Sequence, residues 1–321
     1  MKRMIALTAG LLSCLMILSC SGCRTQSSPA ENGSSVVSGV TQNSTEERGK
    51  SEELPNASND YLVAEKMNQD VTVDLDGDGK LDTLKVSIKK RDTSDGTSDW
   101  IEYVLNSIVI NGNQLAEPDA ENTLQAYQIY LESPDEEQYF ITDLDSSDKA
   151  LEIALLDYGP SDDPVTWYLH YKDGELESLG SLPGFPDDED SQRDGNGNVM
   201  AVGRLSLLQT WCATFPYTMK NGKLAEVPQS QYIPLQDPAA VVTLKRGLTV
   251  YAKPDQKADT TQIEPSQEPV TFLATDNKHW VQIHMTDGTE GWIYCKDFST
   301  IVSGGRELAA TDVFDHLVLA D

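Results

Sequence analysis

The residues with the clearest capacity for chemistry lie between Asp74 and Asp82, where the chain reads Asp-Leu-Asp-Gly-Asp-Gly-Lys-Leu-Asp. Asp74, Asp76 and Asp78 stand at positions one, three and five of this loop, which gathers three carboxylates around one point. Gly79 at position six permits the sharp turn that wraps them inward. Hard oxygen donors in this arrangement suit Ca²⁺. Lys80 adds a main-chain carbonyl at position seven, and Asp82 at position nine closes the set directly or through water. The plain alternative is a solvated acidic turn. Against it, four spaced aspartates repel one another unless a cation stands among them.

Position twelve, where an EF-hand carries a bidentate Glu, is Lys85, so the loop does not join two helices of that motif. Its flanks read as strands instead. Val71 and Val73 before it, and Leu84, Val86 and Ile88 after it, alternate with polar residues at the period of a half-buried strand. The strand-loop-strand pattern resembles the FG-GAP or VCBS-type repeats of bacterial surface proteins. That resemblance implies calcium loops joining β-strands in propeller-like domains. A second acidic stretch, Asp143-Leu144-Asp145 with Asp148 and Glu152, looks like a degenerate relative without the turn glycine, and makes a possible second metal site. Asp194-Gly195-Asn196-Gly197-Asn198 reads better as a hairpin turn.

The elements that must position these loops are short apolar-alternating runs between Gly, Pro, Asn and Asp. They include 101–110, 125–131, 139–144, 151–158, 165–171, 199–202, 206–213 and 223–227. Few stretches are long and amphipathic enough for a helix, so residues 61–236 should be a mainly β domain. The runs group loosely in three sets of four. An open propeller-like assembly or a β-sandwich fits that grouping, since closed propellers need four to eight blades.

Residues 238–303 have a character of their own. Five short strands, a Trp280-x-x-Ile283 pattern, a turn at Asp287-Gly288 and the ending Gly291-Trp292-Ile293 resemble a bacterial SH3-like domain. The resemblance implies a small β-barrel plugged by Trp292 and Val250, with Tyr251 and Trp280 on its ligand face. It also implies binding of peptidoglycan, another wall polymer or a peptide. After the Gly304-Gly305 break, residues 304–321 are expected to form a helical tail over Glu307 to Ala320.

At the other end, Lys2 and Arg3 precede an uncharged run from Met4 to Ser19, too short for a stable spanning helix, which reads as a signal peptide. The run ends in Leu18-Ser19-Cys20-Ser21-Gly22-Cys23, similar to the lipobox of bacterial lipoproteins. Residues 1–22 are thus expected to be signal peptide and lipobox, with Cys20 and Cys23 competing for the lipid. Residues 24–60 hold three Val and one Leu among polar residues and cannot bury a core, so they read as a disordered tether. Cys212 and Cys295 then remain as free thiols, which fits a Gram-positive exterior.

Charge separates the two folded regions. Residues 61–237 hold 12 Lys and Arg against 34 Asp and Glu, a balance of −22, whereas residues 238–303 hold 6 against 8, or −2. Such a field disfavours nucleic acid and anionic polymers. Nucleophile chemistry has little to build on. His284 and Cys295 share a region but lie in no recognisable nucleophile context, Asp162-Asp163 reads as an acidic turn, and no Gly-x-Ser-x-Gly or His-Glu-x-x-His motif occurs. The expectation is a non-catalytic, lipid-anchored protein on the outer face of the membrane that binds calcium and wall polymer. The alternatives are a wall-associated hydrolase or a structural partner of a membrane assembly.

Overall fold

The structure is a computed structural model that describes residues 61–90, 102–116, 128–130, 138–157, 163–235 and 241–319. The signal peptide, Cys20, Cys23, the tether and Asp162 lie outside these residues. Ten strands occupy the first part: β1 (Leu62–Lys66), β2 (Asp70–Val73), β3 (Asp82–Lys90), β4 (Glu102–Ile110), β5 (Asn113–Ala116), β6 (Gln128–Tyr130), β7 (Gln138–Thr142), β8 (Glu152–Asp157), β9 (Val165–Lys172) and β10 (Glu175–Pro183). They make two antiparallel sheets. The first has the order β2-β3-β4-β5 with β6 beside β4, and the central one has the order β1-β7-β8-β9-β10.

Strict alternation in β3 points Leu84, Val86 and Ile88 to one side and Thr83, Lys85, Ser87 and Lys89 to the other. The apolar side packs on Tyr139, Ile141, Ile153, Leu155 and Leu169 of the central sheet. At its centre the second sheet is covered on both faces. In β8 every residue is buried, because Ile153 and Leu155 meet the first sheet while Ala154 and Leu156 meet a third. That third sheet is β11 (Gln192–Arg193), β12 (Asn198–Leu207), β13 (Gln209–Lys220) and β14 (Lys223–Glu226), paired in chain order. Three antiparallel meanders therefore stack face to face, with a core between each neighbouring pair.

The C-terminal region continues the stack. It comprises β15 (Val242–Leu244), β16 (Leu248–Tyr251), β17 (Thr260–Ile263), β18 (Ser266–Thr275), β19 (Trp280–Met285), β20 (Glu290–Cys295), β21 (Thr300–Ser303), β22 (Arg306–Ala309), α1 (Ala310–Val313) and β23 (Phe314–Asp315). Its strands pair in the order β17-β16-β20-β19-β18-β15-β23, with β21 paired to β20 and β22 to β21, and this path does not close into a barrel. Leu205, Leu207, Leu208, Trp211 and Phe215 of the third sheet share one core with Val242, Leu244, Phe272, Ile283 and Phe314. Trp211 meets the Phe272 ring edge-on at 5.3 Å. The apolar core thus crosses the sequence boundary near Pro238.

Three expectations change here, the first being the closed barrel expected of residues 238–303, whose strand path stays open. The run 206–213 is not one strand, because the chain reverses at Leu208, a buried residue with φ of 70° at the tip of the β12–β13 hairpin. The tail is not one helix either. Gly304 and Gly305 both have positive φ, 56° and 75°, as a two-residue hairpin turn requires. They fold β22 back on β21, with Ser303 opposite Arg306, and leave one helical turn before β23. Val318 then accepts from the Thr210 amide at 2.8 Å, tying the end of the chain to the hairpin. Among the described residues no helix is long and apolar enough to cross a membrane.

Candidate functional site

The β2–β3 connection carries the aspartate loop at one rim of the first sheet. Carboxylate oxygens of Asp74, Asp76 and Asp78 all lie within 4.8 Å of one another, the one such acidic group of three among the described residues. Loop amides orient each of them. Gly79 N donates to Asp74 Oδ2 at 2.9 Å, Asp78 N to Asp76 Oδ1 at 3.1 Å, and Lys80 N to Asp78 Oδ1 at 2.7 Å. Each carboxylate thereby commits one oxygen to a loop amide. Asp74 Oδ1 is buried without a hydrogen-bond partner. A buried, unmatched carboxylate oxygen is costly, and a divalent cation is a partner that would satisfy it, so the residues fit Ca²⁺. Asp78 Oδ2 is met by the Lys80 ammonium at 2.5 Å, which holds the Asp78 carboxyl below its usual range.

Asp82 does a different job from the one its spacing suggests. It is buried, its Oδ2 accepts from the amide of fully buried Leu75 at 3.0 Å, and its Oδ1 accepts from Asn111 Nδ2 at 2.6 Å. It clamps the loop to the sheet while standing apart from the triad. Asn111, which also accepts from Thr83 N at 2.9 Å, escaped the sequence reading. Its signal was present as Asn111-Gly112, the turn between β4 and β5. Gly77 has φ of 71°, and a Cβ there would lie 2.8 Å from the Lys149 carbonyl, so this glycine lets the first loop rest on the second.

The second loop occupies the matching place between β7 and β8, yet its four acidic residues do not converge. Asp145 Oδ1 accepts from Ser147 N and Asp148 Oδ1 from Ala150 N, each a local turn. Glu152 is the counterpart of Asp82: its Oε2 accepts from the amide of buried Leu144 at 2.9 Å. Its Oε1 lies 3.1 Å from His170 Nδ1, directly across on β9. Burial raises the Glu152 carboxyl, and the hydrogen bond to Glu152 raises the His170 imidazolium. The loops are also joined through the main chain. Leu151 N donates to Leu75 O at 2.9 Å, and Gly197 N, from the Asp194–Asn198 turn, donates to Leu144 O at 2.7 Å.

In the C-terminal sheet, β19 and β20 point Val281, Ile283, Ile293 and Cys295 into the core and their even-numbered residues to the other face. Trp280 lies opposite Tyr294, and Trp292 opposite both Gln282 and Tyr251. Tyr251 and Trp280 therefore do share the outer face, with ring centroids 5.3 Å apart, and Tyr294 packs on Trp280 at 5.1 Å. Trp292 belongs to this face too. The plug expected of it is supplied by Ile293 (0 % exposed) and Val250 (2 %). Trp280, at 9 % exposure, is covered by its aromatic neighbours and leaves Tyr251, Trp292 and Tyr294 as the partly open rings.

His284 and Cys295 project to opposite faces of that sheet. His284 Nδ1 sits 3.0 Å from Glu290 Oε1, and burial pushes the Cys295 thiol up to about 12, far from a reactive thiolate. No protein-family model, no curated protein and no solved structure matches this chain.

Proposed function

We propose that the chain is an exported, lipid-anchored surface protein that acts by binding. Its Asp74–Asp82 loop holds one Ca²⁺ through Asp74, Asp76, Asp78 and the Lys80 carbonyl, with Asp82 securing the loop from behind. The carrying observation is the triad itself: three carboxylates, each oriented by a loop amide, with a buried oxygen of Asp74 left for a cation. Calcium at this place would stabilise the stack. The three face-to-face meanders support reading residues 61–236 as an open propeller-like domain of FG-GAP or VCBS type. The order of β15 to β20 and the shared aromatic face support an SH3-like module that holds wall polymer or a peptide at Tyr251 and the neighbouring open rings of Trp292 and Tyr294, with Trp280 packed against Tyr251 and Tyr294.

Co-sedimentation of the full chain with isolated Gram-positive wall, in calcium and in chelator, tests this reading. Binding in both conditions that is lost in Tyr251→Ala places the contact on the aromatic face and gives calcium a structural role. Binding only in calcium brings the stacked sheets into the contact. No sedimentation in either removes the wall as ligand and shifts the partner to a protein of the membrane surface.

A further inference from the structure

Among the described residues, the Lys80 side chain is the cation that forms an ion pair with the aspartate triad, and its position is specific. Lys80 holds Asp78 twice, through its amide on Oδ1 at 2.7 Å and through its ammonium on Oδ2 at 2.5 Å. The first contact shapes the loop. The second covers the Asp78 oxygen that the loop amide does not take. Asp76 and Asp74 add their attraction for the same ammonium.

We infer that Lys80 is a tethered counter-cation that divalent ions must displace, setting the affinity of the loop and rejecting monovalent ions. The inference rests on the calcium reading above and deepens it. Three carboxylates and one ammonium leave a formal charge of −2 at the loop. Sodium or potassium in place of the ammonium returns the same balance and gains nothing for the loss of the Lys80 hydrogen bond. Calcium brings one more charge to the same oxygens, so it alone gains from the exchange. The side chain is 83 % exposed, so it can swing into water once displaced, while its main-chain carbonyl stays in the loop.

Calorimetric titration of Ca²⁺ into the full chain, its Lys80→Gln variant and its Lys80→Arg variant tests this, each at low and at physiological NaCl. Lys80→Gln should bind calcium more tightly, by about three- to tenfold at low salt, the scale of one unit charge a few ångströms from a divalent ion in a solvated site. Its advantage should shrink in NaCl more than screening shrinks the parent's affinity, because sodium now competes. Lys80→Arg should keep the parent's constant within a factor of two or so. Equal constants for parent and Lys80→Gln, or weaker binding by the variant, would overturn the displacement role while leaving the calcium site standing. No heat from any of the three would bring down the calcium reading itself, and this inference with it.

Discussion

Leu75 and Leu144 are buried alike, donate their amides to a carboxylate at the start of the next strand, and lend their carbonyls to the following loop. Around this common frame the two loops diverge. Between Asp74 and Asp82, glycines at 77 and 79 with positive φ let the chain curl until three carboxylates meet. Between Asp143 and Glu152 the loop is one residue longer and has no glycine, and Asp145 and Asp148 cap their own backbone. The clamps diverge as well. Asp82 is steadied by the neutral amide of Asn111, whereas Glu152 faces the titrating ring of His170. Both loops keep the clamp, while only the loop with the two positive-φ glycines brings three carboxylates together.

The largest expected effect separates clamp from ligand. Asp82→Ala leaves the buried Leu75 amide without an acceptor and should cost about 2–3 kcal/mol of stability even in chelator. Glu152→Gln keeps an acceptor for Leu144 and removes a buried charge, so about 1 kcal/mol or less is expected. Urea unfolding of both variants measures the difference, and a larger loss for Glu152→Gln would break the parallel. Next in size is the glycine pair. Gly77→Ala drives a methyl into the Lys149 carbonyl and should cost about 2 kcal/mol or more, while Gly79→Ala has open space and only its φ of 84° against it, about 1 kcal/mol. Melting curves of the two would sharpen how closely the loops lean on each other; equal losses would mean that contact contributes nothing.

The smallest effect concerns pH. Glu152 and His170 are both shifted upward in the fold, so the folded chain holds more protons than the unfolded one across their range. Their contribution is therefore fully present below the ordinary carboxyl range and is lost as pH rises through it and then through the folded value of His170. Hydrogen exchange at the Leu144 amide, corrected for intrinsic rate, should speed up between mildly acidic and mildly alkaline pH, while Leu75 does not follow. His170→Gln should flatten the trend, and a parallel trend at Leu75 would show that the whole stack is loosening.

Much of this could be read from the residues. The alternation in β3 announced a one-sided strand, and the run 151–158 announced β8, whose burial on both faces is set by the sheets packed against it. The triad was legible because ligand spacing is local. What escaped was set by distant partners. Asp82 has the spacing of a ligand, but Leu75 and Asn111 claim both its oxygens, and Asn111 is 29 residues away. Trp292 looks like a plug by its size, yet the register with Tyr251 puts it on the open face. Residues 307–320 have helical spacing, and the Gly304-Gly305 turn overrides it by delivering the chain to β21 as a strand. The shared core of Trp211 and Phe272 joins regions that charge had divided.

The measurement closest to the central claim is the calcium stoichiometry of the full chain, by calorimetry in chelator-treated buffer, with Asp76→Ala and Asp145→Ala beside the parent. The account predicts one ion per chain, abolished by Asp76→Ala and untouched by Asp145→Ala, with a calcium-dependent rise in melting temperature that only Asp76→Ala loses. Two ions per chain, or one that survives Asp76→Ala, would contradict it.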